Sequence, residues 1–341
     1  MPTQGTSQER ILMLSSIKLS KSSLSPLFFA ISALVLTIAQ IFLLLNILTI
    51  WPADTSKVIF CDVGQGDAVL IQQGFTQVLV DAGPSPAKVF TCLNRHIPWF
   101  NSRLDLAVAT HPDFDHIGAF QAVMPRFSIS ELMLVEDAKT SDGFQSFREA
   151  VLSKKSQRTK LTFPTAGDKG SITSSIEYLV LSPQDDAGAN STKSQLPSVF
   201  SPTLTETTLS DALTQHEQSI KNYNDGSISL ILDIDGVKIM LTGDIEEATE
   251  RAIERSNMLT KVNILKVAHH GAKTSSTATF LAKVTPEQSI ISAGVDNKYG
   301  HPTNEVITRL EQLKSQIWRT DLQGEIRVQI RDGEYQITSQ K

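Results

Sequence analysis

The stretch Thr110-His111-Pro112-Asp113-Phe114-Asp115-His116-Ile117-Gly118 places four metal-capable side chains within six residues. Histidine offers borderline nitrogen donors and aspartate hard oxygen donors, so the set suits zinc, manganese or similar ions. The apolar run 104–109 before it reads as a buried strand. A strand ending in such a loop can aim several ligands at one small volume. Two metal ions a few ångströms apart hold a hydroxide between them, which makes a hydrolytic centre. A solvated acidic loop would be the ordinary reading of one His and one Asp. Two of each, directly after a buried-type strand, argue against it.

Further along, Gly243-Asp244 ends a strand, and Asp244 could bridge two metals with its two carboxylate oxygens. His269 closes the apolar run 262–268 and offers another nitrogen. Strands are expected at 58–63, 68–71, 77–81, 104–109, 131–135, 176–181, 227–234, 237–242, 262–268 and 289–292, with two more closing the chain. Helices are expected near 86–97, 117–124, 143–153 and 245–255, and another running to about Lys314. Asp235-Gly236 between two apolar runs is a hairpin signal. Strands followed by helices, twice over, imply two mixed sheets face to face with helices outside: a four-layer αββα sandwich in the α/β class. The candidate ligands fall at strand C-terminal ends, so one edge can collect them. Residues 184–217, rich in Ser, Thr, Gln and Asp without periodicity, read as an inserted flexible loop.

The 341 residues carry 31 basic and 36 acidic side chains, a net charge of -5, which excludes a basic nucleic-acid coat. A polyanionic substrate would have to be held locally. Residues 1–24 read as a disordered tail and 25–51 as a transmembrane anchor, followed by the hydrolase domain at 57–341. The run 27–51 contains no charge and at about 1.5 Å per residue can cross the ~30 Å hydrocarbon core. Arg10, Lys18 and Lys21 precede it and only Lys57 follows closely. The positive-inside bias then puts the N-terminus in the cytoplasm and the catalytic domain outside, on a single-pass protein of the cytoplasmic membrane. A cleaved signal peptide is the runner-up and a buried core helix the third reading. Cys61 and Cys92 are the only cysteines; two separate buried thiols are expected ahead of a disulfide, which an exported domain would permit.

The motifs Asp62-Val63-Gly64-Gln65-Gly66-Asp67-Ala68, Leu79-Val80-Asp81-Ala82-Gly83, the His111–Gly118 loop, Leu241-Thr242-Gly243-Asp244-Ile245, His269-His270-Gly271-x-Lys273-Thr274-Ser275 and Tyr299-Gly300-His301-Pro302 resemble the metallo-β-lactamase superfamily. They most resemble the C-terminal hydrolase-like domain of ComEC competence proteins, over about residues 57–335. The multi-helix ComEC channel is missing from this sequence. The resemblance implies two divalent ions, zinc or manganese. His111, Asp113 and Asp244 would hold the first, and Asp115, His116, His269 and Asp244 the second. Asp113 stands where most of the superfamily has His, and the usual central-loop His is replaced by Asn222-Tyr223-Asn224-Asp225, so the first site is oxygen-rich. Asp115 would also orient the hydroxide, and His301 would protonate the leaving oxygen. His270, Lys273 and Ser275 would hold the substrate, and Asp81 would orient a ligand histidine. The loop 64–67 is read as structural.

The expected function is an exported phosphodiesterase or nuclease of the ComEC type, with DNA as substrate and the competence uptake machinery as partner. The alternatives are hydrolysis of another exported phosphoester or amide, such as a cell-wall component or β-lactam, and a non-catalytic DNA-uptake accessory.

Overall fold

The computed structural model describes residues 26–50, 55–156, 158–184, 199–200, 206–219 and 222–341. The expected disordered tail lies outside these residues, as do 185–198 and 201–205 of the expected insertion. The chain divides into two compact units, Met1–Trp51 and Pro52–Lys341. The first contains one 25-residue helix, Pro26–Ile50, free of charged residues. Over the residues whose side chains are described, no helix is long and apolar enough to cross a membrane.

The first half of the second unit supplies β1 Ser56–Phe60, β2 Val69–Gln73, β3 Thr76–Val80, β4 Arg103–Ala109, β5 Ser128–Leu134, β6 Lys160–Thr162, β7 Lys169–Thr173 and β8 Ile176–Ser182. The second half supplies β9 Ser229–Ile234, β10 Val237–Leu241, β11 Ile264–Lys266, β12 Gln288–Ile291, β13 Gln316–Arg319, β14 Ile326–Arg331 and β15 Glu334–Ser339. They form an eight-stranded sheet, β15-β14-β1-β2-β3-β4-β5-β6, and a seven-stranded sheet, β13-β12-β11-β10-β9-β8-β7.

Strand alternation sets the layers, because successive side chains point to opposite faces. Val58 and Phe60 of β1 pack with Val237, Ile239 and Leu241 of β10 in the core between the sheets. Ile59 points outward to a second core with Val89 and Leu93 of the helix Pro86–His96. Met240 likewise points outward to a third core with Val306 and Leu310 of the helix Asn304–Gln312. Three apolar layers between two sheets and flanking helices make the αββα order.

β4 is parallel to β3 and β5, and β10 to β13 run parallel in succession. The loops after β3, β4, β10, β11 and β12 therefore emerge at strand C-terminal ends. Parallel strands need long crossovers, which is why the site residues are far apart in sequence.

Three expectations are corrected. Cys61 and Cys92 form a disulfide, with Cα atoms 5.8 Å apart. The loop after β1 and the helix Pro86–His96 bring the thiols together, which their spacing in sequence does not reveal. Part of the expected flexible insertion is ordered: Glu206–Ser219 is a helix that buries Ala212 and Leu213 in the first outer core. Val199 and Phe200 are buried there as well, Phe200 lying 6.1 Å from the Phe144 ring. Val199, Phe200, Ala212 and Leu213 bury these described stretches, and the polar residues around them hide any periodicity. Finally, three strands close the chain rather than two, and β6, β7 and the helix Ala278–Val284 were not expected.

Candidate metal centre

The loop after β4 opens at Thr110 and folds at once into the short helix Phe114–Ile117. This turn brings Asp115 and His116 inward. Gly66 stands against its backbone so closely that a Cβ there would lie 2.1 Å from the Asp115 carbonyl oxygen. The adjoining Asp67 amide donates to that same oxygen at 3.2 Å. The Gly-rich loop is thus a brace for the ligand loop.

His116 is fully buried, and Asp81 after β3 fixes its ring. Asp81 Oδ2 lies 2.7 Å from His116 Nδ1 and accepts the Thr110 hydroxyl at 2.7 Å, while its Oδ1 accepts the Thr110 amide at 2.9 Å. His116 Nε2 then faces Asp244 Oδ2 at 3.2 Å. Across the cleft, His270 Nδ1 donates to the Ser292 carbonyl at 2.9 Å, leaving Nε2 aimed at Asp244 Oδ2 at 3.2 Å and Asp115 Oδ2 at 3.4 Å. One ligand atom each from Asp115, His116, Asp244 and His270 lies within 4.8 Å of the others. His111 is buried beside them, its ring 4.1 Å from that of His116.

Nε2 of His111, His116 and His270 and Oδ1 of Asp244 are all buried without a hydrogen-bond partner. Each such atom costs on the order of 1–3 kcal/mol. Four of them converging on one cleft, as imidazole nitrogen and carboxylate oxygen, fit a divalent cation such as zinc or manganese.

The electrostatics point the same way. Burial opposes the His270 cation, but the Asp244 and Asp67 carboxylates outweigh it and push the ring up to about 9. Burial likewise opposes a charged His116, and Asp244 and Asp81 raise it well above the ordinary value. For Asp244, burial is overcome by His270, His116 and Lys266, which hold it well below the carboxylate range. Asp115 is also lowered, because the hydrogen bond from His270 and the charge of His116 outweigh its desolvation. His111 goes the other way: desolvation and the neighbouring His116 lower it. Protons and a dication would compete for the same nitrogens.

The structure separates His269 and His270 differently from the sequence reading, which put His269 among the ligands and His270 at the substrate. β11 stops at Lys266, and the chain turns through Ala268–Gly271 with both histidines at positive φ (49° and 54°). His270 swings into the cleft. His269 faces outward, with Nδ1 3.0 Å from Glu246 Oε1 and its ring 5.5 Å from His301. The apolar Val267 and Ala268 extend the apolar run past Lys266, where β11 ends, so the run alone points to His269 and not to His270.

Asp113 lies near enough to His111 for its charge to act on that ring. Its carboxylate is paired with the Lys139 ammonium, which lies 4.3 Å over the Tyr223 ring. Ser275 is fully buried, and its hydroxyl faces the Ala268 and Ala272 carbonyls at 2.9 Å, so it braces the turn and is not presented to substrate. Lys273 is exposed beside Thr274, whose hydroxyl donates to Glu246 at 2.9 Å. His301 stacks on Tyr299 at 5.9 Å with its Nδ1 buried and unpartnered. Desolvation, then His269 and His270, lower its pKa.

Two residues of the centre had not been singled out. Lys266 is buried, pairs with Asp67, donates to the Gly243 carbonyl at 3.1 Å and lies 3.5 Å from Asp244 Oδ1. A lysine inside an apolar strand was the available signal, since lysine is almost never fully buried without a partner. Asp67 gave no such signal within its glycine-rich loop.

The chain is similar to several known proteins. The profile of the Metallo-beta-lactamase superfamily matches residues 61–295. ComE operon protein 3 of Bacillus subtilis is 26% identical over 305 residues, covering 82% of this chain and 34% of that protein. Recombination protein 2 of Haemophilus influenzae is 26% identical over 281 residues, covering 82% of this chain and 29% of its own length. The chain thus spans about a third of these relatives. The crystal structure of the metallo-beta-lactamase fold protein YhfI from Bacillus subtilis aligns with a TM-score of 0.47 at 10% identity, over 84% of this chain and all of that one. With a matched profile over most of the sandwich and a buried His/Asp cleft at its strand ends, the chain belongs to the metallo-beta-lactamase superfamily of metal-dependent hydrolases, in a form similar to ComEC-type competence proteins.

Proposed function

We propose that this chain is a membrane-anchored, extracytoplasmic phosphodiesterase that acts on nucleic acid in the setting of DNA uptake. The observation that carries hydrolysis is the convergence of Asp115, His116, Asp244 and His270 with partnerless buried nitrogens facing inward. These four residues would hold one divalent ion; His111 and Asp244, joined by Asp113 when Lys139 releases it, would hold a second, weaker one. When bound, such ions acidify water and polarise a phosphoryl oxygen.

The chain's own residues do the rest. Asp81 and the Ser292 carbonyl fix the two rings so that each presents Nε2. Asp115, about a third exposed, accepts a hydrogen bond from the attacking water. Lys273 stands at the exposed rim as a cation for a phosphate oxygen. His301 passes a proton to the leaving oxygen; its lowered pKa makes the protonated ring a strong acid and a scarce one at neutral pH.

A phosphodiester substrate is favoured because relatives bear the names of a competence protein and a recombination protein. The anchor is favoured by the charge-free helix, whose Phe28, Phe29, Leu34, Leu36 and Phe42 are more than half exposed. The Cys61–Cys92 disulfide favours an oxidising compartment outside the cytoplasm.

Hydrolysis of bis(p-nitrophenyl) phosphate and of single-stranded DNA by the purified chain, with manganese or zinc added, tests this. Both should be cleaved and both should stop with chelator. Metal binding without cleavage of either substrate would overturn the phosphodiesterase reading.

A further inference from the structure

The end of the sandwich remote from the metal centre carries a compact aromatic patch. Trp99 is 87% exposed, Phe100 48% and Phe75 42%. The Trp99 and Phe100 rings are 5.7 Å apart and the Phe100 and Phe75 rings 6.3 Å apart. Asn101 Nδ2 donates to the Phe75 carbonyl at 3.2 Å, tying the segment before β4 to the tip of the β2–β3 hairpin. Three large aromatics held together in water mark a binding surface.

Strand register fixes where that surface lies. β1 pairs antiparallel with β2, and the hairpin tip at Gly74-Phe75 lies beside the start of β1. Gln73 Nε2 donates to Ser56 Oγ at 3.1 Å, joining the two directly. The chain enters β1 at Ser56, and the charge-free run ends at Trp51, so only residues 52–55 separate them. The metal loop leaves the other end of β4, seven residues away, about 20 Å at the usual rise per residue. The aromatic patch is therefore not part of the metal cleft.

We infer that Phe75, Trp99 and Phe100 form a bilayer-docking surface that seats the domain on the membrane with its metal centre turned away. Tryptophan and other amphipathic aromatics concentrate at the membrane–water boundary, where a polar edge can stay wet while the ring enters the acyl region. A tether as short as 52–55 keeps this end within reach of the headgroups if the run 27–51 spans the bilayer. The inference thus rests on the anchor proposed above and adds a second, independent contact with lipid.

The test uses the full chain in vesicles of phosphatidylethanolamine and phosphatidylglycerol with acyl chains brominated near the headgroup. Emission of the wild type minus that of Trp99→Phe isolates Trp99 from Trp51 and Trp318. Bromine should remove most of this Trp99 emission, and Trp99→Phe should hydrolyse a soluble phosphodiester like the wild type. Unquenched Trp99 in a chain that resists alkaline carbonate extraction would overturn the docking surface and leave the anchor standing, whatever protein then covers the ring. Release of the whole chain by carbonate would overturn the anchor, and the docking surface with it.

Discussion

On one side of Asp244, His116 and His270 each bring Nε2 to 3.2 Å of the same carboxylate oxygen, and each ring is locked from behind by an oxygen acceptor. On the other side, His111 offers a buried nitrogen with no partner, but Asp113 is turned to Lys139 and Asp244 Oδ1 has the Lys266 ammonium 3.5 Å away. The first half is preorganised for a cation. The second already has two lysines near its carboxylates. Metal ligation depends as much on what holds the ligands as on which ligands are present, so the two halves should differ in affinity.

The largest effect should come from the preorganised half. His270→Ala should abolish tightly bound metal and drop hydrolysis to the chelator-treated level, whereas His269→Ala should keep its ion. Metal content by plasma mass spectrometry reads this directly. Retained metal in the first variant, or its loss in the second, would reverse the assignment of the pair. Asp81→Asn should come next, weakening metal affinity about 10–100-fold by loosening His116 without removing a ligand. Competition with a fluorescent chelator measures it; an unchanged affinity would mean that the Thr110 contacts suffice to hold the ring.

Lys139→Met sharpens the other half. It frees Asp113, so the weaker ion should bind about two- to fivefold more tightly, the scale of one partly exposed ion pair. Titration calorimetry on protein already holding the first ion resolves this. Weaker binding would show that Lys139 positions Asp113 as a ligand. A further effect is in pH. His270 rises from 6.5 to about 9 in the folded chain, so the stability it contributes is complete below pH 6.5 and disappears as pH climbs through about 9. Calorimetric melting of chelator-treated protein should therefore fall across that window, while metal affinity rises over it. A flat melting curve would mean that His270 stays neutral throughout.

The sandwich was legible because β1, β4, β9 and β10 carry long apolar runs whose alternation follows from the pleat. The ligand loop after β4 was legible because His111 to His116 are contiguous. What escaped depends on where chains stop and turn. Nothing in Val267-Ala268-His269-His270 shows that β11 ends at Lys266 or that both histidines take positive φ. The pairing of Asp113 with Lys139 joins side chains 26 residues apart, through packing that a linear pattern does not encode. Edge strands such as β6, three residues long, are too short to announce themselves.

Asp115 and His116 hang from the eight-stranded sheet, and Asp244 and His270 from the seven-stranded one. No fragment of the chain holding only one sheet contains the donor set. An ion shared between them would clasp the seam of the sandwich, and its full donor set exists only with both layers in place. Such an ion would bind the assembled sandwich in preference to either layer alone, and would stabilise it against unfolding.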